Sequence, residues 1–222
     1  MYKQLRLIFF LVKIDSSIKI LVNKGVYNPA EDSYLLIKAV ETREGEKTLD
    51  MGCGSGITAL HLAKHGCIVT ACDIKNEAVE NTKVNAKRNR LNMKVFKSDL
   101  FSDVEGKFDV ITFNPPYLPI EGEDSAWDGG KGGIEVINRF LEEAVNHLNS
   151  NGRIYLVMSS FTDRGKMLRD FEEVYEFSIV AEQSFFFEKL FCIQNNAEEG
   201  FVAFHRVRKT MVFSCFITLF DE

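Results

Sequence analysis

The most chemically pointed stretch of this sequence is Asn114-Pro115-Pro116-Tyr117, directly after the apolar run Phe108 to Phe113. A carboxamide or aromatic amino nitrogen has its lone pair delocalised and is a poor nucleophile until drawn toward tetrahedral geometry. Two acceptors aimed at its hydrogens do this: the Asn114 side-chain oxygen and the Pro115 backbone carbonyl. Prolines restrict the backbone so that this carbonyl points one way. Tyr117 can lie flat on a planar group and turn its π face toward a cation. No strong base is required, because the proton becomes acidic only as an electrophile arrives. Orientation and directed electrostatics carry such a reaction. Asn-Pro is also an ordinary opening for a turn, so the motif takes its meaning from what precedes it.

What precedes it is Asp50-Met51-Gly52-Cys53-Gly54-Ser55-Gly56, between a strand signal and a helical pattern. Gly52, Gly54 and Gly56 let the backbone turn tightly and approach a ligand with no Cβ in the way. The spacing is not the G-x-G-x-x-G that seats a pyrophosphate on a helix N-terminus. An acid at the strand end would repel a phosphate, whereas it suits an ammonium or sulfonium group. The next strand ends in Asp73, where a carboxylate can accept both hydroxyls of a ribose. The third ends in Ser98-Asp99-Leu100, where Asp99 can take the amino hydrogens of an adenine. Any one acid could be a helix cap. Three at successive strand ends point together into the crevice where such sheets bind ligands.

The elements that must position these residues are legible from residue 47 onward. Strand-like runs cover 47–51, 67–73, 92–99, 107–114 and 152–160, and helical patterns cover 57–65, 75–90, 133–149 and 163–175. In the third helix Ile134, Ile137, Phe140, Leu141, Ala144, Val145 and Leu148 fall at amphipathic spacing. Such alternation predicts an α/β fold of βαβ units, a mainly parallel sheet with helices on both faces. The strands are apolar nearly throughout, as expected when both sheet faces are covered. Residues 177–187 and 188–194 read as two strands with no helix between them, an antiparallel hairpin. The first 25 residues read as strands that could form a small hairpin over one side.

DMGCGSG, ACDI and KSDL, in that order, resemble the class I S-adenosylmethionine-dependent methyltransferases over roughly residues 26–194. The resemblance implies a Rossmann-like, seven-stranded, mostly parallel sheet of order 3-2-1-4-5-7-6 with an antiparallel last strand. It implies S-adenosyl-L-methionine as cofactor and S-adenosyl-L-homocysteine as product. Residues 1–25 and 195–222 then flank the catalytic domain as extensions, the latter without a role in this pattern. Asn114 to Tyr117 resembles two groups: methyltransferases of the exocyclic amino group of adenine, and HemK-type enzymes acting on a glutamine amide of translation release factors. Val26-Tyr27-Asn28-Pro29-Ala30-Glu31-Asp32-Ser33 is similar to the signature of the short archaeal and eukaryotic HemK-like branch. Trp127 to Gly133 and Ser184 to Phe191 are similar to further segments of it. The resemblance implies cofactor contacts at Ser33, Asp50, Gly52, Gly54, Gly56, Asp73, Asp99, Leu100 and Asn114, with Asn114, Pro115, Pro116 and Tyr117 as the catalytic set.

In that branch a small zinc-binding activator protein pairs with the methyltransferase at its exposed third strand, here residues 92–97 with Met93, Val95 and Phe96. An unpaired strand edge suits such docking. The expected substrate is the glutamine of the Gly-Gly-Gln loop of a class 1 release factor; the alternative is an adenine amino group on DNA or RNA. Lys83, Lys87, Arg88, Arg90, Lys94 and Lys97 could track phosphates, although such a run is usually a solvated face. Glu121, Glu123, Asp124 and Asp128 form an acidic lip beyond Tyr117 that would suit a basic protein segment. The net charge of −5 also argues mildly against a nucleic-acid partner. An intact Asn114 with a full set of acids argues against an inactive binding module.

Five cysteines without a C-x-x-C pair fit neither a disulfide framework nor a zinc knuckle, and point to a reducing, cytoplasmic setting. His61, His65 and Cys67 offer one face of a metal site but no fourth ligand, so no metal is expected. The apolar run Leu7 to Val12 is far too short to span a bilayer and lacks a following cleavage site, so no membrane partner is expected.

Overall fold

The computed structural model describes residues 9–116 and 134–197. Tyr117, the acidic lip, Gly129 to Gly133 and residues 198–222 lie outside the described residues. The chain opens with β1 (Phe10–Leu11), α1 (Glu31–Ala39) and β2 (Glu41–Thr42). It continues with β3 (Lys47–Met51), α2 (Ile57–Lys64), β4 (Ile68–Asp73), α3 (Asn76–Arg88), β5 (Lys94–Lys97) and β6 (Phe108–Phe113). From residue 134 onward come α4 (Glu135–Ala144), β7 (Leu148–Ser159), α5 (Arg164–Phe171), β8 (Tyr175–Ser184) and β9 (Lys189–Ala197).

Seven strands form one sheet in the order β5-β4-β3-β6-β7-β9-β8, which is the expected 3-2-1-4-5-7-6. The pairings from β5 to β7 are parallel, and β9 runs antiparallel to both β7 and β8. The two-residue repeat of an extended chain sends alternate side chains to opposite faces. Along β7, Ile154, Leu156 and Met158 join a core with α4 and α5, while Tyr155 and Val157 join a second core with α1 and α2. Both faces are therefore covered, and the strands read as apolar for that reason. No helix among the described residues is long and apolar enough to cross a membrane.

Several expected boundaries move. The third helical pattern stops at Ala144, followed by a 3-10 turn at Val145–His147, and β7 begins already at Leu148. The fourth stops at Phe171 because Tyr175 starts β8, its hydroxyl donating to the Leu141 carbonyl at 2.7 Å. Helix α1 was not foreseen: it buries Asp32 and Ser33 with Leu35, Leu36 and Ile37 and leaves Tyr34 exposed, which blurs the apolar period.

The expected N-terminal hairpin is absent among the described residues. Phe10–Leu11 pairs instead with Glu41–Thr42, and the contact continues as Val12 N–H donates to the Val40 carbonyl at 2.8 Å. Beyond it no described strand accompanies residues 13–25; the segment runs onto α3.

At the strand ends away from the glycine-rich loop, Arg153 of β7 and Glu46 form a buried pair at 2.8 Å, and Arg43 adds a second contact to Glu46 at 2.9 Å. Burial pushes the Glu46 carboxyl up, but the hydrogen bonds from Arg153 and Arg43 outweigh it and hold it below its ordinary value. Removing one partner leaves an uncompensated buried charge. Glu46→Ala is expected to lower the unfolding free energy by ~3–5 kcal/mol in chemical denaturation. A loss near that of a surface substitution would show that Arg153 finds another partner.

Candidate active site

The C-terminal ends of β3, β4 and β6 open, with the residues following β5, on one cleft of about 480 Å³. A cavity of this size suits a nucleotide-sized ligand. Asp50, Gly52, Gly54, Asp73, Asp99, Leu100, Ser33, Asn114, Pro115 and Pro116 all line it. The structure thus brings together the expected residues it describes, apart from Gly56, which shapes the loop from behind.

Asp50 is buried at the end of β3. The β3–β6 register sets it opposite Thr112, whose hydroxyl donates to Asp50 Oδ1 at 2.8 Å. Asp50 Oδ2 accepts from the Ala59 backbone N–H at 3.1 Å, one of the free amides of the first turn of α2. Asp50 is therefore a helix cap as well as a cleft residue. Burial pushes its carboxyl up to about 7; the bonds from Thr112 and Ala59 oppose the shift and the nearby Asp73 adds to it.

The loop that returns α2 over this acid needs three left-handed residues: Gly52, Gly54 and Gly56 have φ of 64°, 53° and 82°. At Gly56 a Cβ would also stand 2.9 Å from Thr82 Oγ1 and Cγ2. Gly54 N–H donates to Asp73 Oδ2 at 3.0 Å, and Lys75 N–H to Asp73 Oδ1 at 2.9 Å. Burial still raises the Asp73 carboxyl above its ordinary value. A ribose hydroxyl pair can donate to the lone pairs that remain.

Asp99 is more exposed and pairs with Arg139 of α4 at 3.0 Å. A carboxylate has about four acceptor positions, so this pair leaves room for an adenine amino group. Leu100 adopts φ 47°, with Ser98 Oγ donating to its carbonyl at 2.6 Å. On the opposite wall the Tyr27 hydroxyl lies 2.8 Å from both Asp32 oxygens. Ser33 donates to Asp32 Oδ1 through its backbone N–H and its hydroxyl.

Asn114 leaves β6 with its Oδ1 buried and without a hydrogen-bond partner among the described residues. A buried amide oxygen without a donor asks for one from a ligand. Such an acceptor beside Pro115 can orient an NH₂ group at the end of the cleft. The basic residues expected to track phosphates are exposed, and Lys83 pairs with Glu80 at 2.8 Å. Both histidines of the candidate metal face meet backbone groups: His61 Nδ1 is 2.8 Å from the Ile57 carbonyl, and His65 Nε2 accepts from Lys13 N–H at 3.4 Å.

Sequence reasoning missed Tyr27, Asp32 and Arg139 as cleft-lining groups and Thr112 as the donor behind Asp50. Tyr27 and Asp32 stand within the Val26 to Ser33 signature, where only Ser33 drew notice. Arg139 lies off the apolar stripe of α4 and reads as a solvent-facing charge.

A doubly covered parallel sheet with acids at three successive strand ends and an Asn-Pro-Pro turn after the fourth defines a methyltransferase of nucleotide-fold type. The methyltransferase small domain family matches residues 17–187. A Methanocaldococcus jannaschii protein, whose name provisionally assigns it protein N5-glutamine methyltransferase activity, is 38% identical over 185 residues, covering 79% of this chain and 94% of that one. Ribosomal RNA small subunit methyltransferase C of Klebsiella pneumoniae is 35% identical over 154 residues, covering 68% of this chain and 42% of that one. The solved E. cuniculi Mtq2–Trm112 complex, which methylates the termination factor eRF1, aligns at a TM-score of 0.64 with 25% identity, covering 78% of this chain and 99% of the aligned one. The chain belongs to the methyltransferase small domain family, and its cofactor is S-adenosylmethionine. The cleft fits that group: a buried carboxylate for a cation, further acids for hydroxyl and amino donors, and an orphaned acceptor at the far end.

Until a cation arrives, the Asp50 carboxyl holds its proton below about pH 7. A sulfonium or ammonium group beside it favours the charged form, so binding releases a proton there. Cofactor affinity is expected to fall as pH drops from 8 to 6, with proton release seen by calorimetry in buffers of different ionisation enthalpy. Asp50→Asn should flatten this dependence; an unchanged pH profile in that variant would remove Asp50 from cation recognition.

Proposed function

We propose that this chain methylates the side-chain amide nitrogen of a glutamine, that of the Gly-Gly-Gln motif of a class 1 translation release factor. The observation that carries the reaction type is the orphaned, buried Asn114 Oδ1 at the end of β6. The glutamine assignment is supported by the M. jannaschii relative, matched over nearly its whole length, and by the E. cuniculi neighbour. The ribosomal RNA relative is matched over less than half its length, and keeps an amino group on DNA or RNA, adenine's included, as the second reading.

When bound, the cofactor supplies a methyl group on a sulfonium as the electrophile. Asn114 Oδ1 and the Pro115 carbonyl accept the two hydrogens of the substrate NH₂ and turn its lone pair toward that methyl. Pro115 and Pro116 hold the backbone of this cradle, and Tyr117, outside the described residues, is the residue assigned by sequence to pack on the planar amide. Asp73 takes the ribose hydroxyls and Asp99 the adenine amino group. Asp50 and Ser33 face the methionine portion, and Gly52, Gly54 and Leu100 let the backbone approach. The free edge of β5, which ends the sheet with no strand beyond it among the described residues, is the docking place for a small zinc-binding activator.

Labelled S-adenosylmethionine with purified release factor, with and without a Trm112-type partner and with DNA and RNA in parallel, tests the substrate. Label on nucleic acid and never on the glutamine would overturn the proposal. Asn114→Ala is expected to slow turnover by on the order of 10² or more with cofactor affinity nearly intact, as for loss of a transition-state contact. Asp73→Ala should do the reverse, weakening cofactor binding while turnover at saturation changes little. Equal loss of both in Asn114→Ala would make it chiefly a cofactor residue.

A further inference from the structure

Asn81 and Asn85 of α3 and Asn89 at its C-cap lie at four-residue spacing, and each meets the backbone of the segment that leads into the cleft. Asn89 Oδ1 accepts from Lys19 N–H at 2.8 Å and Asn89 Nδ2 donates to the Lys19 carbonyl at 2.9 Å. Asn85 Oδ1 accepts from Leu21 N–H at 2.9 Å, and its Nδ2 donates to the Leu21 carbonyl at 2.7 Å. Asn81 Oδ1 accepts from Asn23 N–H at 2.8 Å, and its Nδ2 donates to the Leu21 carbonyl at 2.9 Å. The partners descend by two residues as the helix climbs by four. Four helical residues advance about 6 Å and two extended residues about 6.6 Å. One row of carboxamides can therefore follow an extended chain without slipping out of register. Helix α3 stands where a neighbouring strand would otherwise satisfy this backbone.

Two further observations tie the ladder to the cofactor. Asn85 Nδ2 also donates to the Ser55 carbonyl at 2.9 Å, so a single buried side chain joins the segment to the glycine-rich loop. Two residues past the ladder, Gly25, Val26 and Tyr27 line the cleft. They enter it through a turn in which Val26 N–H donates to the Asn23 carbonyl and Gly25 takes φ 82°. The side chains of Lys19, Leu21 and Asn23 are exposed, so they do not fix the segment by burial. Ile20, packed against the α1–α2 core, adds one apolar anchor.

We propose that Asn81, Asn85 and Asn89 are positioning residues for cofactor binding: they read the backbone of residues 19–23 and so hold Gly25 to Tyr27 as a wall of the S-adenosylmethionine cleft. The role is independent of which nitrogen is methylated. It also makes the side chains at 19, 21 and 23 replaceable but their N–H groups necessary.

Leu21→Pro deletes the donor that Asn85 receives, while Leu21→Ala trims only an exposed side chain. The dissociation constant for S-adenosylmethionine, measured directly by calorimetry on the full chain, should rise by roughly tenfold in Leu21→Pro and in Asn85→Leu. Leu21→Ala should match the parent. Hydrogen exchange gives a readout that general stability would not move: cofactor should further slow exchange at the Leu21 and Asn23 amides in the parent, and not at Asn23 in Leu21→Pro. If Asn85→Leu does not fold, Leu21→Pro and Asn89→Ala at the far end of the ladder carry the test, the latter with a smaller rise. A lowered melting temperature with an unchanged dissociation constant in Leu21→Pro, or cofactor binding that leaves the parent's exchange untouched, would overturn the proposal.

Discussion

A carboxylate buried in the floor of a ligand cleft costs several kcal/mol unless donors reach it, and much of this fold can be understood as supplying donors to Asp50. Thr112 is one of them, and it stands opposite Asp50 only because β3 and β6 pair in parallel at that register. The Ala59 amide is another, and it arrives only because three left-handed glycines fold α2 back over the strand end. Sheet pairing, loop and helix are thus joint conditions on one side chain. Its compensation is nonetheless incomplete: with Asp73 near, the Asp50 carboxyl remains pushed up to about 7. A cation entering the cleft completes the arrangement, which explains why an acid rather than a neutral cap suits the end of β3.

The other side of the cleft meets the opposite difficulty. Its wall is a chain segment with no strand beside it, whose exposed amides would compete for water. The carboxamide is the one side-chain group that carries an acceptor and donors in the proportions of a peptide unit. A row of asparagines can therefore replace a β partner where a helix, not a strand, is the neighbour. Thr82 on the same helix crowds Gly56 and donates to the Gly54 carbonyl at 3.0 Å. Helix α3 consequently braces the glycine-rich loop and the opposing wall together, and the two sides of the cleft share one support.

The run of strands, the acids at their ends and the Asn-Pro-Pro turn were legible in the sequence because each is local, an apolar run and then the residue at its end. The strand order followed instead from the family resemblance. The three acids needed only the rule that parallel strands present their C-terminal ends on one side. The hairpin of β8 and β9 was legible because no helical period interrupts it. What escaped depends on tertiary proximity. Asn81, Asn85 and Asn89 sit on a polar stripe that reads as solvent-facing, since the segment they hold lies some 60 residues earlier in the chain. Distance along the chain also made the N-terminal segment look like a self-contained hairpin, when Phe10–Leu11 pairs with Glu41–Thr42 and residues 19–23 meet side chains. Arg139 drew no notice because its partner Asp99 belongs to another element. Helix α1 was missed for another reason: it buries polar Asp32 and Ser33 and exposes Tyr34, which blurs the period by which a helix is recognised.

Under the proposed function, Asn114 Oδ1 and the Pro115 carbonyl would select a planar NH₂ and not what carries it, since any amide or aromatic amine offers two hydrogens. Relatives named for a glutamine and for ribosomal RNA are both similar to this chain. Discrimination between such substrates has to come from groups that meet the carrier, not the nitrogen. The surfaces around the centre differ in their chemistry: a β5 edge with no strand beyond it among the described residues, an Asp99–Arg139 pair across the rim, and exposed lysines on the outer face of α3. Those lysines lie on the helix whose inner face holds the cleft wall, so a phosphate backbone lying along them would follow the back of the cofactor site. A protein loop threading toward Asn114 makes no such demand, and the α3 cations are then what their exposure already indicates, a solvated helix face.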